Sequence, residues 1–445
     1  MTQSGVTPRL LNVEQFKRRI NRNDPVANIY RNAIDLNRFS NAVAGQIVRD
    51  YNSIILSAVD DLKRIDFGVP TAGGGIVSPS SVQAQRLRVI LAQLKESLDG
   101  WAERSTAYTA TELQGLAELQ TEFVTEQLRL AVAGGEVGAR GIQPSVVAQQ
   151  AVNTVEVAPN FAATVATVDP TDINFTLPGT GSFNLTAGQG AAITLPNGQV
   201  VQKAFRGLAE SQAQRFNATI RTGILAGEPT PQIARRLIGS LDFGQLAKTA
   251  KQQALAGGEL TKLADNQVLT VVRTSVQQVA NTASQNVYQA NQDVTKKYRY
   301  VATLDSRTSA ICRSLDGKEY KYGDGPLPPV HFNCRSTTIP IVDYRALGLR
   351  PPEEVIGEGK RAAEGGQVSA SVKRDGKRVF NSYGYWLKDQ PKAYQEEVLG
   401  KARAAYFERL SGKIGPQEAL VRLVREDGSE VPLKVLQERY GSNNG

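Results

Sequence analysis

The stretch Leu87-Arg88-Val89-Ile90-Leu91-Ala92-Gln93-Leu94-Lys95-Glu96-Ser97-Leu98-Asp99-Gly100-Trp101 sets Leu87, Leu91, Leu94, Leu98 and Trp101 at alternating steps of four and three. A helix turns once in 3.6 residues, so these five side chains line one face. Leu113, Leu116, Leu119 and Phe123 resume the spacing. Such a stripe suits helix pairing, in a bundle or between subunits, and packing into this chain's own core is the simpler of the two.

Toward the N-terminus, Phe39, Val43, Ile47, Tyr51, Ile54, Ile55 and Leu62 repeat the pattern, and residues 10–66 read as helices. A Gly/Pro/Ser-rich break from Gly68 through Ser81 separates the two stretches, so residues 1–132 are expected to form an N-terminal helical region. From Gly134 to Val200 charge nearly vanishes. There Asn174-Phe175-Thr176-Leu177 and Ser182-Phe183-Asn184-Leu185 look like short strands. Ala192-Ile193-Thr194-Leu195 and Gln199-Val200-Val201 flank the turn signal Pro196-Asn197-Gly198. Residues 133–201 are expected to be a low-charge β insertion, or an extended arm that orders against a neighbouring subunit.

Helices are expected again from Gln202 to Tyr298. Pro229-Thr230-Pro231-Gln232 offers a capping threonine and a proline at the first helical position. Leu269, Val272, Val276, Val279 and Ala283 stripe a longer helix. Residues 346–380, rich in Gly, Lys, Arg and Glu, read as a linker, and 381–445 as a helical tail with an amphipathic segment from Tyr385 to Leu410. The fold class expected is mainly α. It is an elongated helical protein with a small β-containing insertion and, inside a helical domain at 202–345, a small zinc-binding α+β module at 305–335.

The 445 residues are 41% apolar, enough for real cores, and no apolar run reaches membrane-spanning length. The N-terminus lacks the basic-then-apolar order of a secretory signal, so a soluble, intracellularly made protein with no membrane partner is expected. Net charge is +9, spread over Lys17, Arg18, Arg19 and Arg22, then Lys296, Lys297 and Arg299, then Lys373, Arg374, Lys377 and Arg378. That surplus is compatible with contact to genomic DNA and equally with solvated helix faces.

The chain has two cysteines, Cys312 and Cys334, and one histidine, His331, all within 23 residues. A disulfide framework is excluded as the main source of stability. Two thiolates and an imidazole suit zinc in tetrahedral geometry. His331 and Cys334 reach one ion from a single turn, and Cys312 approaches from the preceding segment. A closed site needs a fourth ligand. Asp305 is the first candidate, with Asp316, Asp324 or a bound water as rivals. The reading is a structural zinc site; a catalytic zinc and a metal-free packed cluster are the alternatives. The deaminase pattern and His-Glu-x-x-His are both absent, and no catalytic set is recognisable, so an enzyme is not expected. Arg307 and Arg335, which flank the ligands, are expected to bond loop carbonyls or a carboxylate.

Several of these pieces together resemble a known family. They are Arg273-Thr274-Ser275 on a helix, Ala302-Thr303-Leu304-Asp305-Ser306-Arg307-Thr308, Cys312, Leu315-Asp316-Gly317-Lys318, and Pro329-x-His331-x-x-Cys334-Arg335. In this order they are similar to the phage head-morphogenesis family, the minor head proteins like protein F of phage Mu. The resemblance covers residues 205–342, including Arg221-Thr222-Gly223-Ile224-Leu225-Ala226-Gly227-Glu228-Pro229. Trp386-Leu387-Lys388-x-Gln390-Pro391 is similar to a tail segment of many members.

The resemblance implies a virion component in few copies, at the head near the portal and in the host cytoplasm during assembly. Its implied partners are the portal protein, other head or neck proteins and further copies of itself, and some relatives touch DNA and influence its ejection. The cysteines and histidine are implied to hold zinc, with Asp305 as partner. One departure is Ser275, where the family commonly has a glutamate. The alternative function is a metal-dependent enzyme carried in the virion, a hydrolase or a transferase toxin, drawing on Asp305, Asp316, Glu319 or Asp324.

Overall fold

A computed structural model of the protein describes residues 25–65, 67, 80–137, 174–177, 181–184, 193–244, 256–342, 360–374 and 376–441. The first basic cluster (Lys17 to Arg22), the Gly-rich break at 68–79, most of the insertion and residues 343–359 lie outside these. The described elements are mainly helical. They divide into two compact units, one chiefly of Arg38–Gly115 and Phe175–Val276, the other chiefly of Leu116–Asn174 and Gln277–Gly445. Helices α2 (Ser81–Val137) and α5 (Glu259–Ala290) each lend a part to both.

In the first unit, the expected stripes form the core. Tyr51 on α1 (Pro25–Lys63), Trp101 on α2 and Phe205 on α3 (Val201–Leu225) are buried together. Their rings meet at 5.4 Å (Tyr51–Trp101) and 5.9 Å (Trp101–Phe205). The buried polar tips are satisfied, as they must be away from water. Trp101 Nε1 donates to the Ile47 carbonyl at 3.1 Å, and Tyr51 donates to Gln212, which in turn donates to Gln267, both at 3.1 Å.

The insertion contains β1 (Asn174–Leu177) and β2 (Gly181–Asn184), close to the strands expected. The Pro196-Asn197-Gly198 turn forms, closed by a single bridge between Thr194 and Val200, but Val201 begins α3 instead of extending a strand. Thr230 does not cap α4 (Thr230–Ile238). It is the first helical residue, and its hydroxyl donates to the Ile65 carbonyl at 2.8 Å. Glycine is required where α4 ends. Gly239 has φ 64, and a Cβ there would stand 2.4 Å from the Ala256 carbonyl oxygen.

In the second unit, α5 stops at Ala290 and does not continue to Tyr298. Asn291 is fully buried and turns the chain, its side chain donating to the Val287 carbonyl at 2.7 Å. Residues Thr295–Val301 are a strand, β3, because polar and aromatic residues alternate there. Tyr298 and Tyr300 are buried on one face, with Lys297 and Arg299 on the other. β3 is the centre of an antiparallel sheet, between β4 (Glu319–Lys321) and β5 (Thr337–Val342), with Arg299 and Glu319 paired in register and ion-paired at 2.6 Å. Phe123, Val124, Val287 and Tyr288 pack with Val301 and Ile339 of the sheet. Gln285 donates to Thr338 at 2.9 Å, and Gln277 to the Ser336 carbonyl at 2.6 Å, so α5 holds the start of β5 by side-chain bonds.

The segment read as a linker is folded over its described part. β6 (Lys360–Ala363) and β7 (Gly366–Ser369) form one hairpin, β8 (Ser371–Arg374) and β9 (Lys377–Phe380) another. Its charged composition misled because Arg361 is fully buried against Asp316. The Asp316 carboxylate accepts from both terminal nitrogens of Arg361 (3.0 and 2.7 Å) and from the backbone N–H groups of Ala302 (2.7 Å) and Tyr383 (2.6 Å). The tail follows as five short helices: α7 (Tyr383–Lys388), α8 (Lys392–Leu399), α9 (Lys401–Ile414), α10 (Pro416–Arg422) and α11 (Leu433–Tyr440). Leu304 joins their core of Tyr383, Trp386, Leu387, Phe407 and Leu420.

Breaking a buried ion pair leaves an uncompensated charge, at about 3–5 kcal/mol. Arg361→Met is expected to destabilise the chain by that order in urea titrations. The double variant Asp316→Leu/Arg361→Met is expected to recover a large part of the loss. A single variant as stable as wild type would show that the pair does not organise this unit.

Candidate metal centre

Cys312 is the third residue of the short helix α6 (Ala310–Leu315), whose N-cap, Ser309, accepts from the Cys312 backbone N–H. His331 and Cys334 come from the turn before β5, after a cis Pro328–Pro329 bond. Cys334 N–H closes the turn on the His331 carbonyl at 3.2 Å. Asn333 supplies the left-handed residue the turn needs, at φ 58; asparagine is among the few side chains that adopt it readily.

The three expected ligands meet. Cys312 Sγ and Cys334 Sγ are 3.7 Å apart as free thiols, and Cys312 Sγ lies 3.2 Å from His331 Nε2. All three ligand atoms fall within 4.8 Å of one another. A tetrahedral zinc with bonds of about 2.3 Å to sulfur separates its two sulfurs by roughly 3.8 Å, so the thiol pair is already spaced for it. His331 Nδ1 faces the Phe332 carbonyl at 2.8 Å. A proton on Nδ1 satisfies that contact and leaves the Nε2 lone pair toward the sulfurs, the tautomer a metal requires. Both cysteines are buried and His331 is half-buried.

The electrostatics favour a deprotonated sulfur. Cys334 is held well below the ordinary thiol range, first by the hydrogen bond from Cys312 and then, against burial, by His331. Cys312 is pushed well above it by that same hydrogen bond and by burial. His331 is raised, chiefly by hydrogen bonding to Cys334. One thiolate beside a basic imidazole is a donor set that a soft divalent ion can take, releasing the remaining proton.

Asp305, the first candidate for the fourth ligand, is engaged elsewhere and does not join the group. Both terminal nitrogens of Arg335 donate to its carboxylate, one at 2.7 Å. The Thr308 hydroxyl (3.0 Å) and the Arg307 backbone N–H (3.1 Å) add to them. Burial alone would raise this carboxyl, but the Arg335 bonds and charge outweigh it and hold the group below the ordinary carboxylate range. Arg335 thus bonds a carboxylate, as expected, whereas the Arg307 side chain is largely exposed at 3.6 Å from Asp305. Asp316 is committed to Arg361, and Asp324 is exposed and outside the group. Among the described residues no acid completes the site.

Hydroxyls that the motif did not single out border the group, those of Ser309, Tyr300 and Ser336. Ser309 Oγ is 2.7 Å from His331 Nε2, and the buried Tyr300 hydroxyl is 3.2 Å from Cys312 Sγ and 3.9 Å from Cys334 Sγ. The alternation of β3 was the signal for Tyr300, lost when that segment was read as helix.

Comparison with known proteins finds a family match over residues 214–339, in agreement with the resemblance to the phage head-morphogenesis family. The matching family model is the one described as Phage Mu protein F like protein. The match encloses all three ligands and covers well under half of the chain. No curated protein and no solved structure matches. Ser275, where the family commonly has a glutamate, is fully buried and bonds back to the Val271 carbonyl at 2.8 Å.

Purified without chelators, the chain is expected to carry about one equivalent of zinc, lost in Cys312→Ser and in Cys334→Ser; under about half an equivalent in the wild-type chain would remove the centre. Asp305→Asn is expected to keep the zinc and to lower stability at neutral pH by about 2 kcal/mol, the scale of hydrogen bonds to a charged group. A carboxyl depressed by folding stabilises fully above its unfolded pKa of about 3.9 and less as pH falls through its folded pKa. The wild-type advantage over Asp305→Asn should therefore shrink as pH falls below about 4, and a difference that stays constant down to strong acid would contradict the Asp305–Arg335 account.

Proposed function

We propose that the chain is a minor head protein of a tailed bacteriophage, docked at the portal and acting in head assembly. The observation that carries this is the family match, within which the Cys312–His331–Cys334 group falls. The centre is a structural zinc clamp. It ties α6 to the turn that leads into β5, and it gives an assembly part a rigid knuckle where the local core is small.

The reading is of a structural part and not of an enzyme. Of the acids near the ligands in sequence, Asp305 is held by Arg335, Asp316 by Arg361 and Glu319 by Arg299, and Asp324 is exposed outside the group, which supports no poised base. Partners are the portal protein and other head or neck proteins, with self-association among the copies. The +9 charge supports contact with packaged DNA and a role in its ejection. The place of action is the virion head, reached from the host cytoplasm during assembly. No helix among the described residues is long and apolar enough to cross a membrane.

Mass spectrometry of gradient-purified particles, with affinity capture of portal from the same lysate, tests the proposal. The chain is expected in both, at few copies per particle. A chain recovered only from the free pool, never with particles or portal, would refute it.

A further inference from the structure

Tyr300 is fully buried at the back of the metal centre, and its backbone is fixed on both sides. Its N–H donates to the Lys318 carbonyl at 2.9 Å, and its carbonyl accepts from Gly317 N–H at 2.8 Å. The ring packs with Ala302, Cys312 and Cys334, and the hydroxyl is delivered to the sulfur pair, 3.2 Å from one and 3.9 Å from the other. We propose that Tyr300 is a positioning residue for the metal centre: its hydroxyl donates a hydrogen bond to the thiolates of Cys312 and Cys334 and sets their charge and strength as ligands, without itself coordinating. The inference rests on the metal reading given above.

Three observations separate a donor from a ligand here. Two thiolates already cancel the charge of a divalent ion, so a third anionic oxygen in this buried pocket would carry an uncompensated charge. A phenol hydroxyl has a hydrogen to give, and this one stands within reach of both sulfurs. Each thiolate keeps lone pairs beyond the one that would bind metal, and an oxygen at 3.2 Å from sulfur is at hydrogen-bond distance. A second donor acts from the other side: the Ser336 backbone N–H bonds Cys334, and Gln277 holds the Ser336 carbonyl at 2.6 Å. The Ser309 hydroxyl bonds His331 Nε2 and the Cys312 N–H on the half-buried side, and the Ser309 and Ser336 side chains also bond the Cys312 thiol. The Tyr300 hydroxyl reaches both sulfurs at once. Outer donors of this kind change metal affinity by about ten- to a hundredfold when removed.

The test uses the full chain loaded with Zn2+ and, for spectroscopy, with Co2+. Tyr300→Phe removes only the hydroxyl. It is expected to weaken zinc affinity about ten- to a hundredfold in chelator competition, with the stoichiometry unchanged. In the cobalt form, sulfur-to-metal charge transfer should move to lower energy, because an unbonded thiolate gives up electrons more readily. The ligand-field bands, which report coordination number, should stay. Site-specific replacement of Tyr300 by 3-fluorotyrosine, a stronger donor of the same shape, should move charge transfer the opposite way. That second variant keeps the test available if Tyr300→Phe folds poorly.

Charge-transfer bands unmoved in both variants would overturn the proposal. So would altered ligand-field bands in Tyr300→Phe, which would make the tyrosine oxygen a ligand. A wild-type chain that binds neither ion overturns the centre and this inference with it. A full equivalent with unmoved bands overturns this inference alone.

Discussion

Four hydrogen bonds converge on one carboxylate at the heart of the second unit. Asp316 lies immediately after the helix that carries Cys312, and its oxygens collect Ala302 of the strand end, Arg361 of the first hairpin and Tyr383 of the first tail helix. Each partner belongs to a different element, so the carboxylate is the point at which sheet, hairpin and tail are registered on one another. Arg361 extends the junction by bonding the Ala302 and Asn381 carbonyls and lying over the Phe380 ring at 4.7 Å. A buried pair of this kind adds little net stability over a well-packed apolar one; its effect is to penalise every arrangement in which the two charges do not meet.

The candidate metal centre, Cys312, His331 and Cys334, sits on that frame. The tail helices reach the same short helix from outside: Arg313, next to Cys312, donates to the Val398 carbonyl, and Gln417 donates to the Arg313 carbonyl, both at 2.9 Å. Tyr383 donates to the carbonyl of Asp305 at 2.7 Å, at the start of the loop that Arg335 then clamps through the side chain. The ligand-bearing segments are thus held by contacts that do not involve the ligands themselves. The three donor atoms therefore stand within 4.8 Å of one another on the protein's own geometry.

Helices were readable because their signal is local. The stripes through Tyr51, Trp101 and Val276 need only a 3.6-residue period, and all three residues are buried. Two misreadings have one cause. Residues 295–298 and 360–380 carry lysines and arginines that look solvated, and they form strands because Tyr298, Tyr300 and Arg361 find partners far along the chain. Strand propensity depends on such neighbours more than helix propensity does.

Sequence by itself determined the candidate thiol and imidazole ligands, since the chain has two thiols and one imidazole, and it determined the helical character and the family match of residues 214–339. Tertiary structure alone decided the rest of the centre. Asp305 was the first candidate and Asp316 a rival as letters, and each is engaged by an arginine 30 or 45 positions away. Tyr300 and Ser309 gained their places by the same means. The element types that bind a metal are written in composition, but which polar groups remain free to serve it depends on hydrogen-bond partners that only folding brings within reach.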